Sequence, residues 1–529
     1  MTRSHILFRS ALLAILLFAM ATLALPRAAL ATNYFVSPSG TGTDCTQDSP
    51  CSLDTGAKTR TAGDFVFLMD GTYQRQSLNP ANSGTASAWL TFAAFPGAVP
   101  ILDGGGGAVT GSGVGSDTSV YVRYIGIVAR NWASGFTNQW TGSTTEFTAN
   151  GNWQYINYIG DGNTRNGFAF NSAQGILMRE CISAHNGTST TSSWSSGFQL
   201  YAVQGTASDN IVERNVSFEN MDAQKHTDGS EFIVDTKVTG VAFINNLAFL
   251  NGGSGVRLTD SANIKIINNT FYHNGRDTAD DGPPNPAEIY FTDGSGTPNL
   301  TMINNVGIGS GSEADPTDAW TGDPIGRTSA LPTIPSSNKT SATFASPDGT
   351  NPDFRLTAGN ALVDMGDSSG APNCDIGFDP KCIKKGASAD IAVPSWTAYS
   401  IDYAYIKNLG GVANCWRPGV RPARSGIDIG AYELNATPIP GTGDFAIANG
   451  GISSAGGVAG AGGSTGSGGA SGVGGSGGAF GGTAGSDGGA SGGNSSAGVV
   501  GHQDPRKSDR RVVAKGCLPA KFATAGKPG

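Results

Sequence analysis

The clearest pattern in the sequence is a series of short apolar strands interrupted by asparagine. In each of four segments, a β-rich stretch leads to Asn or Asn-Asn and then to a second β-rich stretch. The four segments are 210–218, 241–249, 264–271 and 300–307. Such a repeat predicts stacked coils, because a single coil cannot bury its own apolar face.

The spacing of the asparagines indicates how the coils stack. Asn246 and Asn269 are 23 residues apart, and Asn269 and Asn305 are 36 residues apart because a polar insertion at 276–286 lengthens that coil. Stacked coils place equivalent residues about 4.8 Å apart, so the amides are expected to bond to one another and to the backbone. The sequence therefore predicts an all-β protein, a right-handed parallel β-helix with structural asparagine ladders.

Composition divides the chain into five segments around this repeat. We predict a signal peptide, an N-terminal cap with the first coils, the β-helix core, C-terminal coils and loops, and a disordered Gly/Ser-rich linker with a basic tail. Their bounds are 1–31, 32–106, 107–312, 313–434 and 435–529, respectively.

The first segment has the features of a secretory signal. Arg3 and Arg9 give it a positive start, the stretch from Ala11 to Ala24 is apolar, and Ala29-Leu30-Ala31 is a small-residue cleavage site. We expect the mature chain to be extracellular, either secreted or attached to a cell surface. After removal of the signal, no stable membrane insertion is expected.

The net charge of the chain restricts the kinds of molecule that it is expected to bind. The chain has 33 Lys and Arg against 41 Asp and Glu, a net charge of −8, whereas a nucleic-acid-binding protein would need a basic stripe. A polysaccharide is compatible with this balance, even an acidic one, because a local cluster of cations or a bridging ion can hold it. We expect a monomer that binds no nucleic acid.

The seven cysteines fit an exported protein, in which disulfides are permitted. Cys45 and Cys51 flank a short turn and are expected to form a local bridge. A second bridge is expected between Cys374 and either Cys382 or Cys415. None of the spacings repeats as CxxC, so no zinc site is expected.

Three parts of the chain resemble one kind of secreted bacterial protein. These parts are the opening 34–40 with Asp70-Gly71-Thr72-Tyr73, the central Asn-Asn coils, and 353–367 with Asp428-Ile429-Gly430-Ala431-Tyr432-Glu433. Together they resemble pectate-lyase-like right-handed parallel β-helix proteins with a C-terminal surface-anchor module. The resemblance spans most of residues 33–434 and implies the fold, while activity must be argued from a site.

Comparison with family-9 polysaccharide lyases gives one candidate site. In that family an Asp-Gly opens a calcium cluster, which Asp228-Gly229 resembles, and the next coil adds an acid pair and a third Asp. Here Gly253, Ser254 and Arg257 stand at those three positions, although calcium requires several carboxylates. The same gap removes the acid pair of polygalacturonases, which disfavours glycoside hydrolysis.

Chondroitinase-B-like and alginate lyases provide a second comparison. They use a Lys base and an Arg on successive coils, with Glu residues that hold calcium. Lys237 and Arg257 are similar to that pair, although the Arg register and the Glu spacing differ by a residue or two. The resemblance implies Lys237 and Arg257 as catalytic residues and Asp228 and Glu231 as calcium ligands. A Lys with a lowered pKa could remove the proton next to a uronate carboxylate.

A structural interpretation competes with the catalytic one. If the coils repeat with the asparagine spacings of 23 and 36 residues, Lys237 would stack over Asp260 and Arg257 over Asp293. These pairs would then be structural salt bridges on the outer surface of the β-helix.

The remaining polar residues have the same two interpretations. Lys225 and His226 precede Asp228 in one loop and would contact substrate if the protein is a lyase. His185 and His273 each precede an Asn at a coil turn and are expected to be structural. Exposed aromatic residues of the first coils would suit stacking on sugar rings; the candidates are Trp132, Trp140, Trp153, Trp194, Tyr155 and Tyr158.

Three functions remain open from the sequence. The first is lyase-type β-elimination on an extracellular acidic polysaccharide, the second a non-catalytic glycan-binding or cell-surface structural protein, and the third a glycoside hydrolase on the same fold. Convergence of Lys237, Arg257, Asp228 and Glu231 in one groove would favour the first.

Overall fold

A computed structural model describes most of the chain between residues 32 and 438. The described residues are 32–107, 110–115, 119–138, 150–191, 194–277, 287–291, 297–309, 335–390, 397–421, 426–434 and 437–438. The predicted signal peptide, and all of the predicted linker and tail except 437–438, lie outside them.

The chain forms a right-handed parallel β-helix, as predicted, with three sheets that run the length of the solenoid. Sheet 1 contains ten strands: Asn33–Val36, Phe65–Leu68, Leu90–Ala94, Val122–Ile125, Asn150–Ile156, Ala173–Arg179, Asn210–Glu213, Val238–Ile244, Ser261–Ile267 and Thr301–Ile303. Sheet 2 contains nine: Gly71–Gln74, Pro100–Asp103, Val128–Arg130, Ile159–Asp161, Ile182–Ala184, Val216–Phe218, Leu247–Phe249, Thr270–Tyr272 and Val306–Ile308. Sheet 3 contains seven: Ser112–Gly115, Ser134–Thr137, Phe168–Asn171, Phe198–Tyr201, Phe232–Asp235, Val256–Leu258 and Ile289–Phe291.

Short elements cover the two ends of the solenoid and its side. Helix α1, Leu53–Thr59, is capped by the side chain of Ser52, and helix α2, Tyr403–Leu409, by that of Asp402. Among the residues described, no helix is both long and apolar enough to cross a membrane. Three antiparallel pairs lie in the C-terminal part: Phe344–Ser346 with Asp353–Leu356, Ile383–Lys385 with Tyr399–Ile401, and Gly419–Val420 with Thr437–Pro438.

Equivalent apolar residues stack inside the solenoid because parallel strands repeat at a fixed spacing. In sheet 3, the rings of Phe168 and Phe198 are stacked with centroids 4.5 Å apart, and those of Phe198 and Phe232 are 5.1 Å apart. All three side chains are fully buried. Strand residues therefore alternate between this interior and the outer face.

The predicted asparagine ladder is present at the turn from sheet 1 to sheet 2. Each amide Nδ2 donates to the Oδ1 of the next asparagine at 2.7–3.0 Å, from Asn215 through Asn246, Asn269 and Asn305 to Asn338. Each Oδ1 also accepts from the backbone N–H of the preceding ladder residue, for example Asn269 from Asn246 at 2.8 Å. These buried amides therefore bond in the way that the repeat predicted.

The outer asparagine of each pair has a different role. Asn245, Asn268 and Asn304 adopt φ values of 54°, 53° and 56°, a left-handed conformation that asparagine tolerates better than most residues. Their side chains bond to the C-terminal segment, which we define as residues 353–434. The Nδ2 of Asn268, for example, donates to the carbonyl oxygens of Asp428 and Gly430 at 3.1 and 3.2 Å.

A second ladder, which the sequence did not reveal, follows sheet 2. Its amides also bond in series at 2.8–2.9 Å, and its members are Asn163, Asn186, Asn220, Asn251 and Asn274. Glu288 ends it, because its carboxylate accepts from both the backbone N–H and the Nδ2 of Asn274. Glu288 thus takes the place of a sixth asparagine.

The stacking register confirms one expectation and corrects another. The backbone N–H of Lys237 donates to the carbonyl of Asp260 at 2.7 Å, so Lys237 stacks over Asp260 as predicted. Arg257 pairs with Tyr290, so its predicted stacking over Asp293 is wrong. The insertions enter this coil at more than one corner, and the asparagine spacing therefore does not apply to sheet 3.

The disulfides also differ in part from expectation. Cys45 and Cys51 form the local bridge that the sequence predicted. Cys382 bonds to Cys415, with Cα atoms 6.1 Å apart, so the predicted bridge from Cys374 to either of these residues is wrong. The Cys382–Cys415 bridge joins the turn after Asp379 to the stretch that follows helix α2.

His185 links the C-terminal segment to sheet 2 through hydrogen bonds. Its Nδ1 lies 2.7 Å from Asp161 Oδ1, its Nε2 lies 2.9 Å from the carbonyl oxygen of Tyr399, and Glu219 Oε2 is 3.4 Å away. Both ring nitrogens face acceptors, which requires the imidazolium. Burial lowers the pKa of His185, but the bonds to Asp161 and Glu219 outweigh it and raise the pKa to about 10.

Asn269→Ala tests the first ladder. The substitution removes the acceptor of the buried Asn246 backbone N–H, one of the two acceptors of Asn246 Nδ2 and one of the two donors to Asn305 Oδ1. A buried polar group left without a partner costs about 1–3 kcal/mol. We expect the free energy of unfolding in urea to fall by about 3 kcal/mol or more. Asn408→Ala, at an exposed position of α2, is the matched control and should change stability by less than about 0.5 kcal/mol. Equal effects of the two substitutions would contradict a stabilising ladder.

His185→Gln tests the buried imidazolium. Because the pKa of His185 is raised from 6.5 to about 10 on folding, its contribution to stability is complete below pH 6.5 and is lost as pH rises through 10. We expect the melting temperatures of wild type and His185→Gln to differ most below pH 6.5 and to converge toward pH 10. A difference that stays constant over this range would show that His185 does not titrate on unfolding.

Candidate functional site

The candidate site lies where the chain enters sheet 3 from sheet 2. In this sheet Phe232 and Val234 point into the core, so Ile233 between them lies on the outer face, next to Arg257 of the following strand. Among the described outer positions of the seven strands, Arg257 is the one cation and Asp235 the one acid. If this face binds a charged ligand, the described charged side chains that can contact it from the strands are therefore Arg257 and Asp235.

Arg257 is held by the turn that precedes its neighbouring strand. Its Nη1 donates to the carbonyl oxygen of Thr227 and lies 3.3 Å from Asp228 Oδ1. The guanidinium carbon lies 5.7 Å from the centre of the Tyr290 ring, within the range of a cation–π contact. The side chain is 19% exposed, so the guanidinium is positioned by three groups and still reaches solvent.

Asp228 is a buried carboxyl group close to its neutral form. Burial raises its pKa to about 7; Arg257 partly offsets this, and the nearby charges of Asp222 and Asp235 add to it. One oxygen, Oδ1, faces Arg257, while Oδ2 is buried without a hydrogen-bond partner. At neutral pH this residue can therefore either accept or release a proton.

Glu231 lies in the same turn but does not join this pair. Its side chain is fully buried, and neither carboxylate oxygen has a hydrogen-bond partner. Burial raises the pKa of Glu231 well above its usual value, because the low-dielectric interior disfavours the ionised form. Glu231 cannot contact a polysaccharide without a change in structure.

Lys237 lies at the opposite end of the strand. It follows the end of Phe232–Asp235 by two residues and is exposed, and its carbonyl oxygen accepts from Gln204 Nε2. Thr236 and Lys237 have φ values of 50° and 59°, so the chain turns away from the strand there. Lys237 therefore lies in the turn from sheet 3 to sheet 1 and not on the outer face that carries Arg257.

The loop before Asp228 holds the two predicted substrate contacts. Lys225 is exposed, and His226 Nδ1 lies 2.9 Å from Asp277 Oδ2, with the His226 side chain 28% exposed. The structure thus brings Arg257, Asp228 and this loop together, and it separates Lys237 and Glu231 from them. The roles assigned to these residues stay predictions.

The packing leaves no room for a side chain at Gly253, one of the positions at which the sequence comparison looked for an acid pair. A Cβ atom on Gly253 would lie 2.1 Å from the carbonyl oxygen of Asp228 and 2.7 Å from the backbone nitrogen of Ser230. No side chain fits at that distance. The two coils are in direct backbone contact here, so the acid pair could not be restored without moving them apart.

The same geometry bears on the predicted calcium ion. Asp228 is already paired with Arg257, and within the described residues no third acidic group joins Asp228 and Glu231 at ligand distance. This donor set does not fit a calcium ion, which binds six to eight oxygens. Calcium at Asp228 and Glu231 stays a prediction to which we assign no step.

Trp194 is a feature of the site that the sequence could not distinguish from core aromatics. Trp132, Trp153, Tyr155 and Tyr158 are buried, whereas the Trp194 side chain is 60% exposed; Trp140 lies outside the described residues. The backbone N–H of Trp194 donates to Asp222 Oδ2 at 3.3 Å, so the main chain of Trp194 lies beside the loop that leads to Asp228. An exposed indole next to a polar turn is suited to stacking on a sugar ring.

Comparisons with known proteins agree with the fold. No protein family model matches the chain. Pectate lyase L of Thermoclostridium stercorarium is 25% identical over 334 residues, which are 55% of this chain and 26% of that protein. The match therefore spans about a quarter of the relative's length. It supports a pectate-lyase-like β-helix, while the predicted surface-anchor module stays a prediction.

Solved structures with related shape are more distant. The crystal structure of pectate lyase Pel9A has 15% identity and a TM-score of 0.43, covering 77% of this chain and 98% of its own. A rhamnogalacturonan lyase has 15% identity and a TM-score of 0.30, with coverage of 52% and 87%. A GH136 lacto-N-biosidase from Eubacterium ramulus has 10% identity and a TM-score of 0.32, with coverage of 51% and 65%.

Proposed function

We propose that the protein acts on an extracellular acidic polysaccharide by lyase-type β-elimination at the outer face of sheet 3. The observation that carries this proposal is Arg257, a cation fixed on that face by Thr227, Asp228 and Tyr290. A planar guanidinium binds a carboxylate through two parallel hydrogen bonds. A uronate carboxylate is the group that such a fixed cation would recognise.

The chemistry of elimination explains why a cation is needed here. In the reaction a base removes the C5 proton, the electron pair forms the C4–C5 double bond, and the C4–O bond breaks with its electrons on the leaving oxygen. Arg257 would stabilise the negative charge that develops on the uronate carboxylate as the proton leaves. In this role the guanidinium supplies the charge that a calcium ion would otherwise supply.

Two residues are candidates for the base that removes the C5 proton, Lys237 and Tyr290. Lys237 was predicted for this role, but it lies in the turn after the strand Phe232–Asp235 and not on the face with Arg257. Tyr290 is much closer, because it stacks against the guanidinium of Arg257. We propose Arg257 for carboxylate binding, and variants of Lys237 and Tyr290 decide which of the two removes the proton.

A glycoside hydrolase is the second candidate, and one observation favours it. Burial raises the pKa of Asp228 to about 7, and the charge of Asp235 on the outer face of sheet 3 adds to this. A hydrolase needs one protonated and one ionised carboxyl group across the scissile bond. The two reactions give different products, so one assay separates them.

The test uses the mature full-length chain with a panel of uronate polysaccharides, beginning with pectate because of the related pectate lyase. A lyase produces an unsaturated uronate that absorbs in the ultraviolet, together with new reducing ends, whereas a hydrolase produces reducing ends alone. We expect ultraviolet absorbance to rise on one substrate, with and without a calcium chelator. Reducing ends without absorbance would replace the lyase by the hydrolase.

Three variants and one control locate the chemistry. Arg257→Gln should lower kcat/KM by about 100-fold or more, equivalent to about 2.7 kcal/mol. Lys237→Ala or Tyr290→Phe should abolish kcat with little change in KM, whichever residue is the base. Arg417→Gln removes an exposed cation of the C-terminal segment and should leave activity unchanged. Normal activity of Arg257→Gln would contradict the proposed site.

Binding to one glycan without any product would favour a non-catalytic glycan-binding or surface protein. Secretion is part of the same proposal, supported by the signal-like residues 1–31 and the Cys45–Cys51 and Cys382–Cys415 disulfides, which persist in oxidising compartments.

A further inference from the structure

A second group of acids lies in the C-terminal segment, away from sheet 3. Asp364, Asp428 and Glu433 each place one carboxylate oxygen within 4.8 Å of the other two. Asp364 is exposed, whereas Asp428 and Glu433 are buried. The cluster uses no residue of the Asp228–Arg257 site, and it comes from two stretches that are about sixty residues apart in the chain.

One of the two oxygens of the Glu433 carboxylate lacks a hydrogen-bond partner. Its side chain is fully buried, and its Oε2 accepts from Arg421 Nη1 at 2.7 Å and from the backbone N–H of Asp428 at 3.0 Å. Its Oε1 is buried and has no hydrogen-bond partner. Buried polar atoms without protein partners are rare in folded proteins, and such an atom is commonly satisfied by a bound water or ion.

The backbone is shaped to bring Asp364 into the cluster. The N–H of Asp364 donates to Asp428 Oδ1 at 2.9 Å, and Asp364 has a φ of 60°. Gly426, with a φ of 68°, faces it so closely that a Cβ atom there would lie 2.0 Å from Asp364 Oδ1. Only glycine leaves room for the Asp364 carboxylate at this place.

The charges of the cluster call for a cation. Arg421 is the one described cation that bonds to the three carboxylates, through Glu433 Oε2, and its guanidinium also donates to Asn245 Oδ1 and to the carbonyl oxygens of Asp428 and Gly430. Two negative charges therefore remain uncompensated when all three acids are ionised. A divalent cation would neutralise them and would give Glu433 Oε1 a partner.

We propose that Asp364, Asp428 and Glu433 bind a divalent cation of the calcium type. All three donors are carboxylate oxygens, which calcium prefers, and calcium–oxygen distances are about 2.3–2.6 Å. Two oxygens on opposite sides of one calcium ion are then about 5 Å apart, and the observed separations are no greater than 4.8 Å. Asp364 is exposed, so solvent can reach the ion and complete its coordination.

The location of the three carboxylates indicates what a bound ion would do for the structure. The stretch with Asp428 is docked on the coils, since Asn268 Nδ2 donates to the carbonyl oxygens of Asp428 and Gly430 and the Ala431 N–H donates to Thr270 Oγ1 at 3.0 Å. The ion would join the stretch with Asp364 to this docked stretch. It would thus fasten the C-terminal segment to the β-helix, independently of activity on a polysaccharide.

The test is calorimetric titration of the metal-free full-length chain with calcium chloride. Wild type should bind calcium, and Asp364→Asn, a substitution compatible with the left-handed backbone there, should weaken this binding at least tenfold. Asp367→Asn removes the same charge at an exposed position three residues away and is the matched control. It should titrate like wild type, and so should Asp228→Asn, which separates this ion from any calcium at sheet 3.

Thermal melting provides a second readout that is independent of activity. Calcium should raise the melting temperature of wild type and Asp367→Asn, and a chelator should reverse the shift. Asp364→Asn and Glu433→Gln should lose the shift while circular dichroism confirms that they are folded. Absence of calcium binding by wild type, or equal affinity in Asp364→Asn, would overturn the proposal. Loss of binding in Asp228→Asn alone would assign the ion to sheet 3 and overturn it as well.

Discussion

The structure depends on the hydrogen bonds of buried asparagine amides at the corners of the coils. An amide inside a protein must satisfy both its donors and its acceptor, and in this protein the partner is the equivalent amide of the next coil. Asn246 bonds forward to Asn269, and Asn220 bonds forward to Asn251. A shift of one coil against the next by a single residue would break both ladders, so they fix the register of sheets 1 and 2.

The fixed register of sheets 1 and 2 positions the C-terminal segment. The left-handed asparagines beside the first ladder present their side chains outward, and Asn245, Asn268 and Asn304 hold the C-terminal segment through them. On the other side of the coil, sheet 3 has its own register, which places Arg257 beside Ile233 and Tyr290 and brings the Asp228 turn within reach of its guanidinium. The asparagine corners therefore set the geometry of the cluster in the C-terminal segment, while the register of sheet 3 sets that of the Asp228–Arg257 pair.

The sequence was sufficient for the fold because the repeat is local. Apolar strands that end in Asn-Asn occur in four successive segments, and their spacing predicted the first ladder and the stacking of Lys237 over Asp260. It failed where insertions enter a coil at different corners, which is why Arg257 meets Tyr290 and not Asp293. The second ladder was missed because single asparagines such as Asn186 and Asn220 stand among polar turn residues.

The site was harder to predict because it depends on which way individual side chains face. Asp228 and Glu231 are three residues apart, yet one pairs with Arg257 while the other is fully buried without a partner. Asp364 and Glu433 are far apart in sequence, and only the docking of the C-terminal segment brings their carboxylates together. Neither fact follows from spacing along the chain.

Hydrogen exchange measured by mass spectrometry, with and without a uronate oligosaccharide, tests the central claim most directly. If the outer face of sheet 3 binds the polysaccharide, exchange should slow in peptides covering 194–201, 225–235 and 254–260, and exchange in the sheet 1 strands of the same coils should not change. Slower exchange confined to sheet 1 or sheet 2 would place the polysaccharide elsewhere and would contradict the account.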